Sequence, residues 1–576
     1  MEVIYVQGGE TVLRQRDPGD ALYVLLSGRL RAGVAAPEGG ERPLREIRPG
    51  ESIGELSLLT GEPRSVTVRA IRDSELARLS KDAFNRLCDR HPSAMLALAK
   101  TIAMRLRDSH QDAALGDGGC TVAVVPLAAG VPYREFTARL TSAFDALGTT
   151  RCITSDQLDD VLEQGAAQAA DTSPAHSRLL RWLGDLEASH RFLVYQGEWK
   201  PPVWTQRCIR QADRILLLAA ADGVAAAAAQ EAAAVVRTLF SGGGRPRAHT
   251  VLVMLHRFGT APFRGTEEWL RLIPADHCHH IALTEYGDYA RLVRFLTGRA
   301  TGLVLGGGGA RAFAQIGVIR ALREAGVTID AAGGTSMGAV IAAQYAVGMD
   351  YDTMLEANRR CWVNRDPLKN YTLPILAMTS GTRVNQSLKS MLGDAFIEDL
   401  SLPYFCVSTD LVRANLVVHH RGSLWKSVRA SLSIPGIGPP LVWNGRVLVD
   451  GGVLNNLPVD VMKQLYDARV IAVDASPEED FRCEDDAESV SGWRFLWDRI
   501  RASGPRRRFP TMFEVLIRTT MASSVRLAET SRANCLLYLH PPVDHFGLFT
   551  WSCLREAAEI GYRYTSEYLK CAPEKL

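Results

Sequence analysis

Short apolar runs separated by turn-forming residues dominate the first hundred residues of the chain. These runs are ALYVLLSGRLRAGV, PLREIRPGESIGELSLL and RSVTVRAI, with Gly- and Pro-rich breaks between them. Short strands at such regular spacing are typical of a small β-barrel or β-roll. From Lys81 onward, apolar residues recur every three to four positions, which predicts helix, and the stretch near 114–120 is typical of a linker.

The middle of the chain alternates isolated apolar runs with helical or loop-like stretches. The runs are TVAVVPL from 121, RFLVYQG from 191, RILLLAA from 214 and TVLVMLH from 250. Strands that alternate with helices predict a parallel α/β sheet. In this part of the sequence we find no nucleophile elbow, phosphate-binding loop or pair of carboxylates that would indicate chemistry.

After Thr301 a second α/β pattern begins with the strand, glycine loop and helix of GLVLGGGGARAFAQIGVIRALREAG. A chain of 576 residues is too long for one hydrophobic core, so we expect several domains. The predicted domains are an N-terminal β-roll with helices (1–112), a middle α/β segment (113–300) and a C-terminal α/β domain with a mainly parallel sheet (301–576). The predicted fold class is therefore multidomain α/β.

Composition and charge exclude several classes of protein. The formal net charge of +2 gives no strong field, so we expect no nucleic-acid partner. Eleven scattered cysteines without a C-x-x-C pair, and the lack of a signal-peptide pattern, favour free thiols in the cytoplasm. Charged and amide residues interrupt the most apolar window, which begins at Ile215, so we expect no transmembrane helix.

A run of metal-binding residue types occurs in DHCHHIAL, at His277, Cys278, His279 and His280. Adjacent residues on an extended chain point to opposite faces and cannot all hold one ion. We therefore predict no metal site.

The clearest chemical motif is AGGTSMGAVI, which places Ser336 between Gly334 and Gly338 where a strand-like run ends and a helical pattern begins. The pattern G-x-S-x-G is needed in a strained strand-to-helix turn, because a Cβ at either glycine would collide with neighbouring backbone. Such a turn presents the serine as a nucleophile. An ordinary glycine-rich turn with a helix-capping serine is the alternative.

The glycine loop Gly306–Gly309 follows the strand GLVL and opens a helix, so its backbone N–H groups predict an anion-binding site. One use is a dinucleotide pyrophosphate, since GGGARA fits G-x-G-x-x-A and Asp330 follows about twenty residues later. The other is an oxyanion of acyl transfer. The second is favoured because the chain runs from Asp330 directly into the Ser336 turn.

A serine nucleophile needs a base, and LVWNGRVLVDGGVLNNLPVD places Asp450 at the end of an apolar strand, before Gly451 and Gly452. No histidine lies in a comparable turn, so a Ser-Asp pair is favoured over a Ser-His-Asp triad. The alternative is that Asp450 only forms the turn before Gly-Gly.

Taken in order, the motifs GGGGAR, GTSMG and VDGG resemble the patatin-like phospholipase family, whose members use a Ser-Asp dyad and a glycine-rich oxyanion loop. The resemblance implies that Ser336 is the nucleophile and Asp450 the proton acceptor. The oxyanion group it implies consists of Gly307, Gly308 and Gly309, with Arg311 at the family's basic position. Ala312 stands where the family usually has glycine.

A second motif, IGELSLLTGEPRSVTV, contains Gly54-Glu55-Leu56 and, nine residues after Glu55, Arg64-Ser65. A helix starting at Glu55 and a returning arginine can hold a phosphate, although a weak surface ion pair is the alternative. With DPGDALYVLLSGRLRA before it, the motif resembles a cyclic-nucleotide-binding domain. The resemblance implies that Glu55 contacts the ribose and that Arg64 and Ser65 contact the cyclic phosphate of cAMP or cGMP.

The two motifs, together with RCIRQADRILLL and GSLWKSVRASLSIPG, resemble the neuropathy target esterase group of lysophospholipases over nearly the whole chain. We therefore predict a serine hydrolase of phospholipid or lysophospholipid esters that needs no catalytic cofactor and is regulated by a cyclic nucleotide. The rivals are a dinucleotide-binding oxidoreductase and a non-catalytic nucleotide sensor.

Three apolar segments flank the site motifs, at YTLPILAMTSG from 371, IPGIGPPLVW from 434 and HFGLFTW from 545. Such runs either fill a core or face a bilayer. We predict the second use, as reversible peripheral contact with a membrane.

Overall fold

The computed structural model describes residues 2–35, 41–91, 119–171, 173–199, 203–221, 225–240, 248–257, 263–477 and 529–571, with 93, 95 and 100 as single positions. The chain forms two compact units. One comprises Met1–Ala261 and Glu268–Leu296, and the other comprises Pro262–Glu267 and Thr297–Leu576. The predicted boundary at 112/113 lies outside the described residues.

The first unit begins with a roll of two antiparallel four-stranded sheets. Its strands are β1 (Glu2–Val6), β2 (Thr11–Leu13), β3 (Ala21–Ser27), β4 (Leu30–Ala35), β5 (Glu41–Ile47), β6 (Ser52–Ile53), β7 (Thr67–Ala70) and β8 (Ser74–Ser80), with helices at Glu55–Thr60 and Lys81–Arg90. The strand orders are β1-β8-β3-β6 and β2-β7-β4-β5. Leu25, Leu30, Ile47 and Leu76 are fully buried in the core of this roll, whose apolar side chains drive the two sheets together.

The first unit continues with a six-stranded parallel sheet. Its strands are β9 (Cys120–Pro126), β10 (Thr150–Ile153), β11 (Phe192–Gln196), β12 (Arg214–Ala220), β13 (His249–His256) and β14 (His277–Ala282). The helices are Tyr133–Asp145, Ser155–Val161, Pro174–Ser189, Val203–Gln211, Ala225–Phe240 and Tyr286–Leu296, with a 3-10 turn at Ala166–Gln168. A further helix, Thr266–Leu272, belongs to this unit from Glu268 onward. The strand order is β10-β11-β9-β12-β13-β14.

Alternate residues of β9 enter two different cores. Val122 and Val124 pack into the core on one face of the sheet, whereas Ala123 and Val125 pack into the core on the other. A strand that is covered on both faces is apolar throughout, which is why the four runs identified in the sequence are all strands here. The edge strands β10 and β14 were not identified, because TRCI and HCHHIA carry polar residues.

A buried ion-pair network joins the roll to the parallel sheet within the first unit. Arg72 of the β7–β8 turn is 1% exposed and donates to Asp213 at 2.9 Å. Its neighbour Asp73 accepts from Arg210 at 2.8 Å. Nothing in the local sequence pattern indicated this network, since its members are far apart along the chain.

The second unit is built on an eight-stranded sheet. Its strands are β15 (Thr301–Leu305), β16 (Ala331–Gly334), β17 (Tyr404–Asp410), β18 (Asn415–His419), β19 (Leu441–Trp443), β20 (Arg446–Asp450), β21 (Arg469–Val473) and β22 (Leu537–Leu539). The order is β19-β20-β17-β16-β15-β21-β22, with β18 also paired to β17. Strands β15, β16, β17, β21 and β22 are parallel and the other three pair antiparallel, which confirms the predicted mainly parallel sheet.

Helices pack against this sheet. They are Ala314–Glu324, Met337–Ala346, Tyr351–Asn358, Thr382–Leu392, Leu424–Ser431, Val459–Tyr466 and Leu554–Cys571. Shorter helical turns are Gly309–Phe313, Arg359–Asn364, Pro367–Lys369, Ile397–Asp399, Gly451–Val453 and Trp551–Cys553. Met337–Ala346 is buried on nearly every side, because it lies in the centre of the core cluster.

Candidate active site

Ser336 lies at the turn between β16 and the helix Met337–Ala346. Its backbone has φ 54° and ψ −126°, a left-handed conformation that L-residues rarely adopt, and the residue is 5% exposed. Strain of this kind at a single serine persists only where the surrounding structure enforces it, and it is typical of a functional site. The predicted strand-to-helix elbow is present.

The two flanking glycines make this turn sterically feasible. A Cβ added to Gly334 would lie 2.3 Å from the carbonyl oxygen of Leu305, and one added to Gly338 would lie 2.2 Å from the same atom. Both distances are far below a van der Waals contact, and the obstructing atom is backbone of the central strand β15. The spacing G-x-S-x-G therefore has the steric cause that the sequence analysis assigned to it.

Strand register brings Asp450 to the same edge of the sheet as Ser336. Gly334 pairs with Cys406 in the parallel β16–β17 ladder, and Ser408, two residues further along β17, pairs with Asp450 of the antiparallel β20. Ser336 stands two residues beyond Gly334. The nucleophile and the carboxylate thus approach the same part of β17 from opposite sides.

The Asp450 carboxylate is nearly inaccessible to water, with 1% exposure. Its Oδ1 accepts the N–H of Gly452 at 2.8 Å, and its own N–H donates to the carbonyl of Ser433 at 2.9 Å. Burial raises the pKa of Asp450 to about 6, against the lowering effect of hydrogen bonds from the Ser336 hydroxyl and the Gly452 N–H. A carboxyl group with this pKa is an effective general base near neutral pH.

The side chains of Ser336 and Asp450 are close together, but the hydrogen bond between them is not well formed. The Ser336 hydroxyl is near enough to lower the pKa of Asp450, yet Oδ2 makes no hydrogen bond of good geometry within the described residues. Catalytic hydrogen bonds are often long without substrate and tighten in the complex. The arrangement fits proton transfer from serine to aspartate.

The glycine loop after β15 lies directly against the nucleophile. A Cβ on Gly307 would lie 3.0 Å from the Cβ of Ser336. The Gly307 N–H itself donates to the carbonyl of Asn456 at 3.3 Å, and Gly309 has φ 57° and faces the carbonyl of Leu548, which also accepts the N–H of Ala310 at 2.8 Å. The loop and the nucleophile are therefore brought together as predicted.

The residues that follow the loop are buried. Arg311 is 8% exposed, and its N–H donates to the carbonyl of Gly308 at 3.2 Å. Ala312 is fully buried in the main core cluster, so its methyl group packs inward.

The sequence analysis did not identify the residues that hydrogen-bond to the backbone of Ser336 and Asp450. Ser431, at the end of helix Leu424–Ser431, accepts the backbone N–H of Ser336 through its hydroxyl at 2.8 Å. Two residues later, the carbonyl of Ser433 accepts the N–H of Asp450. One short segment thus fixes both members of the dyad. The motif SVRASLSIPG was noted only as a point of resemblance, with no role attached.

The glycine loop is also braced by side chains that the sequence did not single out. Gln315 donates from Nε2 to the carbonyl of Gly306 at 2.7 Å. Asn456 donates from Nδ2 to the carbonyl of Gly307 at 3.0 Å. Both hydrogen bonds fix the path of the glycine loop.

A histidine does lie close to the base, in a different role from that of a triad. His419 Nε2 and the Ser408 hydroxyl are 2.7 Å apart, and the imidazole stacks on Trp443. Burial lowers the pKa of His419 to about 4. The neutral ring therefore contacts Ser408, the residue that pairs with Asp450 across the β17–β20 ladder.

A small, partly open apolar cleft, with a cavity volume of about 50 Å³, is lined in part by residues of the segment that holds the dyad. Its walls include Trp362, Val384, Leu432, Ile434, Phe549 and Trp551. Leu432 stands between Ser431 and Ser433, and Phe549 follows Leu548, which contacts the glycine loop. The cleft is thus continuous in sequence with the groups that contact both the nucleophile and the loop.

One cation is buried in the wall of this cleft. Arg429 is 4% exposed and donates to Asn385 Oδ1 at 2.8 Å, to the carbonyl of Pro439 at 3.0 Å and to the hydroxyl of Ser433. Burial lowers the pKa of its guanidinium to about 10. These bonds tie the segment 433–439, and hence the acceptor for Asp450, to the neighbouring helix.

The residues of the nucleotide motif in the first unit also lie close together. Arg64 is 4% exposed and donates to the carbonyls of Gly54 at 2.8 Å and Ala21 at 2.7 Å, next to the helix that Glu55 begins. Glu55 is buried, whereas Leu56 and Ser65 are exposed. The guanidinium also lies 3.2 Å from the Asp20 carboxylate. A phosphate at this position would compete with these acceptors.

Among the described residues, no group of three or more His, Cys, Asp or Glu side chains is arranged to hold a metal ion. Within β14, His279 and His280 are buried, and His280 lies 2.9 Å from His256 of β13. Burial lowers the pKa of His256 to about 3, which favours a neutral imidazole pair.

Three family models match the chain in succession. Residues 3–91 match the cyclic nucleotide-binding domain, residues 120–292 the neuropathy target esterase family P-loop like domain, and residues 303–463 the patatin-like phospholipase. The loop after β9 in the middle domain reads LAAGVPY and lacks the lysine of a phosphate-binding loop, which is why no phosphate motif is recognisable there.

Known proteins are similar to the chain along nearly its whole length. The chain is 33% identical to patatin-like phospholipase domain-containing protein 7 of Rattus norvegicus over 97% of its own length and 44% of that protein. It is 33% identical to lysophospholipase NTE1 of Coccidioides immitis over 99% of its length and 40% of that protein. It spans less than half the length of these relatives. Among solved structures, the catabolite activator protein of Thermus thermophilus is 29% identical over 25% of this chain and 62% of that one, with a TM-score of 0.19.

The strained serine, the glycine loop and the matched segment place the second unit among the patatin-like phospholipases. With its nucleotide-binding and P-loop like domains, the chain belongs to the neuropathy target esterase group of that family. Within the described residues, no helix has both the length and the apolar character required to cross a bilayer.

Proposed function

We propose that this chain hydrolyses the acyl ester of a lysophospholipid or phospholipid with Ser336 as nucleophile and Asp450 as general base. The observation that carries the proposal is the pairing of a serine at φ 54° with a buried carboxyl group whose pKa is about 6. Strain aims the hydroxyl, and the raised pKa makes the carboxylate basic enough to accept its proton.

The reaction follows from these positions. Asp450 accepts the hydroxyl proton of Ser336 as the oxygen attacks the ester carbonyl, and the tetrahedral intermediate carries a negative charge on the former carbonyl oxygen. When the intermediate collapses, the proton passes from Asp450 to the departing alkoxide, and an acyl-enzyme remains on Ser336. Asp450 then takes a proton from water, which attacks the acyl carbon. As this second tetrahedral intermediate collapses, Asp450 returns the proton to the Ser336 oxygen, and the fatty acid is released. No step uses a metal ion or cofactor.

We assign the oxyanion chiefly to the N–H groups of Gly308 and Gly309. The N–H of Gly307 already donates to the carbonyl of Asn456, so Gly307 contributes mainly the space that lets the loop approach Ser336. Arg311 follows at the family's basic position and holds the loop through its bond to Gly308. Aligned N–H donors of this kind typically supply about 3 to 4 kcal/mol of transition-state stabilisation each.

The apolar cleft supports a lipid acyl chain as the group transferred. Its aromatic and aliphatic walls exclude water and offer dispersion contacts along a chain of methylene groups, each contributing about 0.8 kcal/mol on burial. The fungal relative carries the name lysophospholipase, which favours single-chain phospholipids as substrates.

A fluorophosphonate probe tests the dyad against its rivals. Wild type is expected to be labelled covalently and to release fatty acid from lysophosphatidylcholine, and Ser336→Ala to do neither. Asp450→Asn should lose nearly as much activity as Ser336→Ala, because members of one catalytic unit are not additive. Absence of labelling together with tight NAD(H) binding would support an oxidoreductase, and absence of both would support a sensor without catalysis.

We also propose that the N-terminal domain binds a cyclic nucleotide, cAMP or cGMP, which regulates hydrolysis. The specific support is that the buried Arg64 donates to the carbonyl of Gly54 at the start of the helix that Glu55 begins. The phosphate would replace carbonyl acceptors of Arg64, Ser65 stands exposed beside it, and Glu55 would accept a ribose hydroxyl. Leu56 extends the exposed rim of the same turn.

Calorimetric titration separates binding from regulation. Arg64→Ala should weaken the binding of cAMP or cGMP by roughly tenfold to a hundredfold, because a charge-assisted hydrogen bond is lost. Arg64→Lys keeps the charge and should retain part of the affinity. If wild type gives no heat with either nucleotide, the sensor proposal is wrong. If it binds and lysophospholipid turnover is unchanged at saturation, only the regulation is wrong.

A further inference from the structure

The loop Tyr371–Met378 exposes an unusual amount of apolar surface. Leu373 is 73% exposed, and Ile375 and Leu376 are each 79% exposed, with Pro374 between them in the sequence. Soluble proteins rarely leave several adjacent aliphatic side chains this open to water, and where they do, the patch usually marks a binding surface. We call these residues, 371–378, the apolar tip.

The apolar tip is held in place by its base. Thr379 pairs with Tyr371 in an antiparallel bridge, and the N–H of Thr372 donates to the carbonyl of Met378 at 3.0 Å. From the same base, Met378 and Thr379 donate to the carbonyls of Gly436 and Ile437, each at 3.0 Å. The exposed side chains are thus carried on a hairpin-like projection with a fixed root.

The root of the apolar tip is also part of the apolar cleft that Leu432 and Ile434 line next to Ser433. Thr379 and Ile437, which hydrogen-bond to each other, both line that cleft. An acyl chain that enters the cleft past this wall would therefore arrive from the side on which the apolar tip projects. The substrate would therefore come from the surface that the apolar tip contacts.

Exposed cations flank the apolar tip. Between residues 356 and 394 the chain carries six basic residues and three acidic residues, a net charge of +3, against +2 for the whole chain. Glu356 pairs with Arg359 and Arg360, and Asp394 pairs with Lys389. Arg365, Lys369 and Arg383 are the basic residues nearest the apolar tip in sequence, and all three are exposed. Asp366 pairs with Lys369 at 3.4 Å. The charge favours an anionic partner.

We propose that the apolar tip docks on the surface of an anionic phospholipid bilayer, with Leu373, Ile375 and Leu376 among the acyl chains and the flanking cations at the headgroups. This inference rests on the proposed lipid hydrolysis, since the docked tip would place the cleft at the membrane from which its substrate leaves. Aliphatic side chains with basic neighbours are the combination that binds reversibly to membrane interfaces.

The first experiment is co-sedimentation of the full chain with vesicles of phosphatidylcholine alone and of phosphatidylcholine mixed with phosphatidylserine. The double variant Ile375→Asp with Leu376→Asp should weaken binding to both by about tenfold or more. Lys369→Glu with Arg383→Glu should weaken binding only to the mixed vesicles, by a similar factor. Val161→Asp in the first unit is the matched control, because Val161 is also exposed, at 56%, and should bind as wild type does.

A second readout does not depend on loss of binding. Ile375→Trp places an indole at the most exposed point of the apolar tip, and its added emission should shift to shorter wavelength with mixed vesicles and be quenched by lipids with brominated acyl chains. Emission that stays at the wavelength of water-exposed indole while the protein sediments would show that another surface docks, and would overturn the proposal.

Hydrolysis of a soluble short-chain nitrophenyl ester distinguishes failure of docking from failure of the proposed function. If wild type hydrolyses neither this ester nor vesicle lipid, the proposed function is wrong. If the ester is hydrolysed but the Ile375→Asp, Leu376→Asp double variant binds vesicles as wild type does, the docking proposal is wrong. It is also overturned if wild type is a dimer in solution that the Asp variants dissociate, since a second copy would then cover the apolar tip.

Discussion

The hydroxyl oxygen of Ser431 accepts the backbone N–H of Ser336 at 2.8 Å, with both residues buried. Because Ser336 has a strained backbone, its conformation depends on such contacts from outside the turn. Two residues after Ser431, the carbonyl of Ser433 holds Asp450. The distance between nucleophile and base is therefore set by one segment of chain.

Ser431→Ala should lower kcat by roughly 10- to 100-fold with little change in KM, because the nucleophile loses a positioning contact while the acyl cleft is unaltered. Steady-state kinetics on a soluble ester measures this. Ser427→Ala is the control, since Ser427 lies on the same helix and its hydroxyl bonds only to the carbonyl of Ser423. Equal effects of the two variants would show that Ser431 merely stabilises the helix.

Activity should fall as the pH drops below about 6, because Asp450 must be ionised to accept the proton and burial raises its pKa to about 6. The expected slope of kcat/KM is about tenfold per pH unit on the acid side. A pH profile with the soluble ester shows this limb. A profile that stays flat down to pH 4.5 would exclude Asp450 as the titrating base.

Asp450→Asn should stabilise the protein while abolishing activity. The folded pKa of about 6 lies above the ordinary aspartate value of 3.8, so between these pH values the folded state holds a proton that the unfolded state has released. Stability therefore falls as pH rises through this window, and the cost, up to roughly 3 kcal/mol, is fully present above it. Denaturant unfolding at neutral pH should show the gain, which should vanish near pH 4.

Ser336→Gly should be more stable than Ser336→Ala by about 1 kcal/mol. Both variants lack the nucleophile, but only glycine adopts φ 54° and ψ −126° without strain, and that relief exceeds its larger entropy in the unfolded chain. Thermal unfolding of the two inactive variants makes the comparison. Equal stability would mean that the turn stores no strain.

Gly338→Ala should destabilise the protein by about 1 to 3 kcal/mol and reduce activity, because the added Cβ would lie 2.2 Å from the backbone carbonyl of Leu305. Gly184→Ala is the control. Gly184 lies in the helix Pro174–Ser189 with no atom within 4 Å of an added Cβ, so this variant should gain about 0.5 to 1 kcal/mol from helix propensity. Loss of stability in both would point to a general intolerance of larger side chains.

The local hydrophobic pattern of the sequence was sufficient to predict much of the fold. The apolar runs at 121, 191, 214 and 250 are strands because residues covered on both faces of a parallel sheet must be apolar. Edge strands such as TRCI, with one side open to water, carry no such signal and were missed. Composition could not show which apolar segment is exposed and which is buried. The segment from 371 is exposed, whereas Ile437, in the segment from 434, is buried, although both segments are apolar.

For the active site, the sequence by itself determined the groups whose chemistry depends on local geometry: the Ser336 turn with its two glycines, the glycine loop and the Asp450-Gly-Gly turn. Each is specified by neighbours within a few residues, because steric clash and positive φ act locally. Only the tertiary structure decided which groups meet. Ser431 reaches Ser336 across 95 residues, the carbonyl of Ser433 holds Asp450, and burial of Asp450 raises its pKa, all consequences of packing between segments that no local pattern encodes.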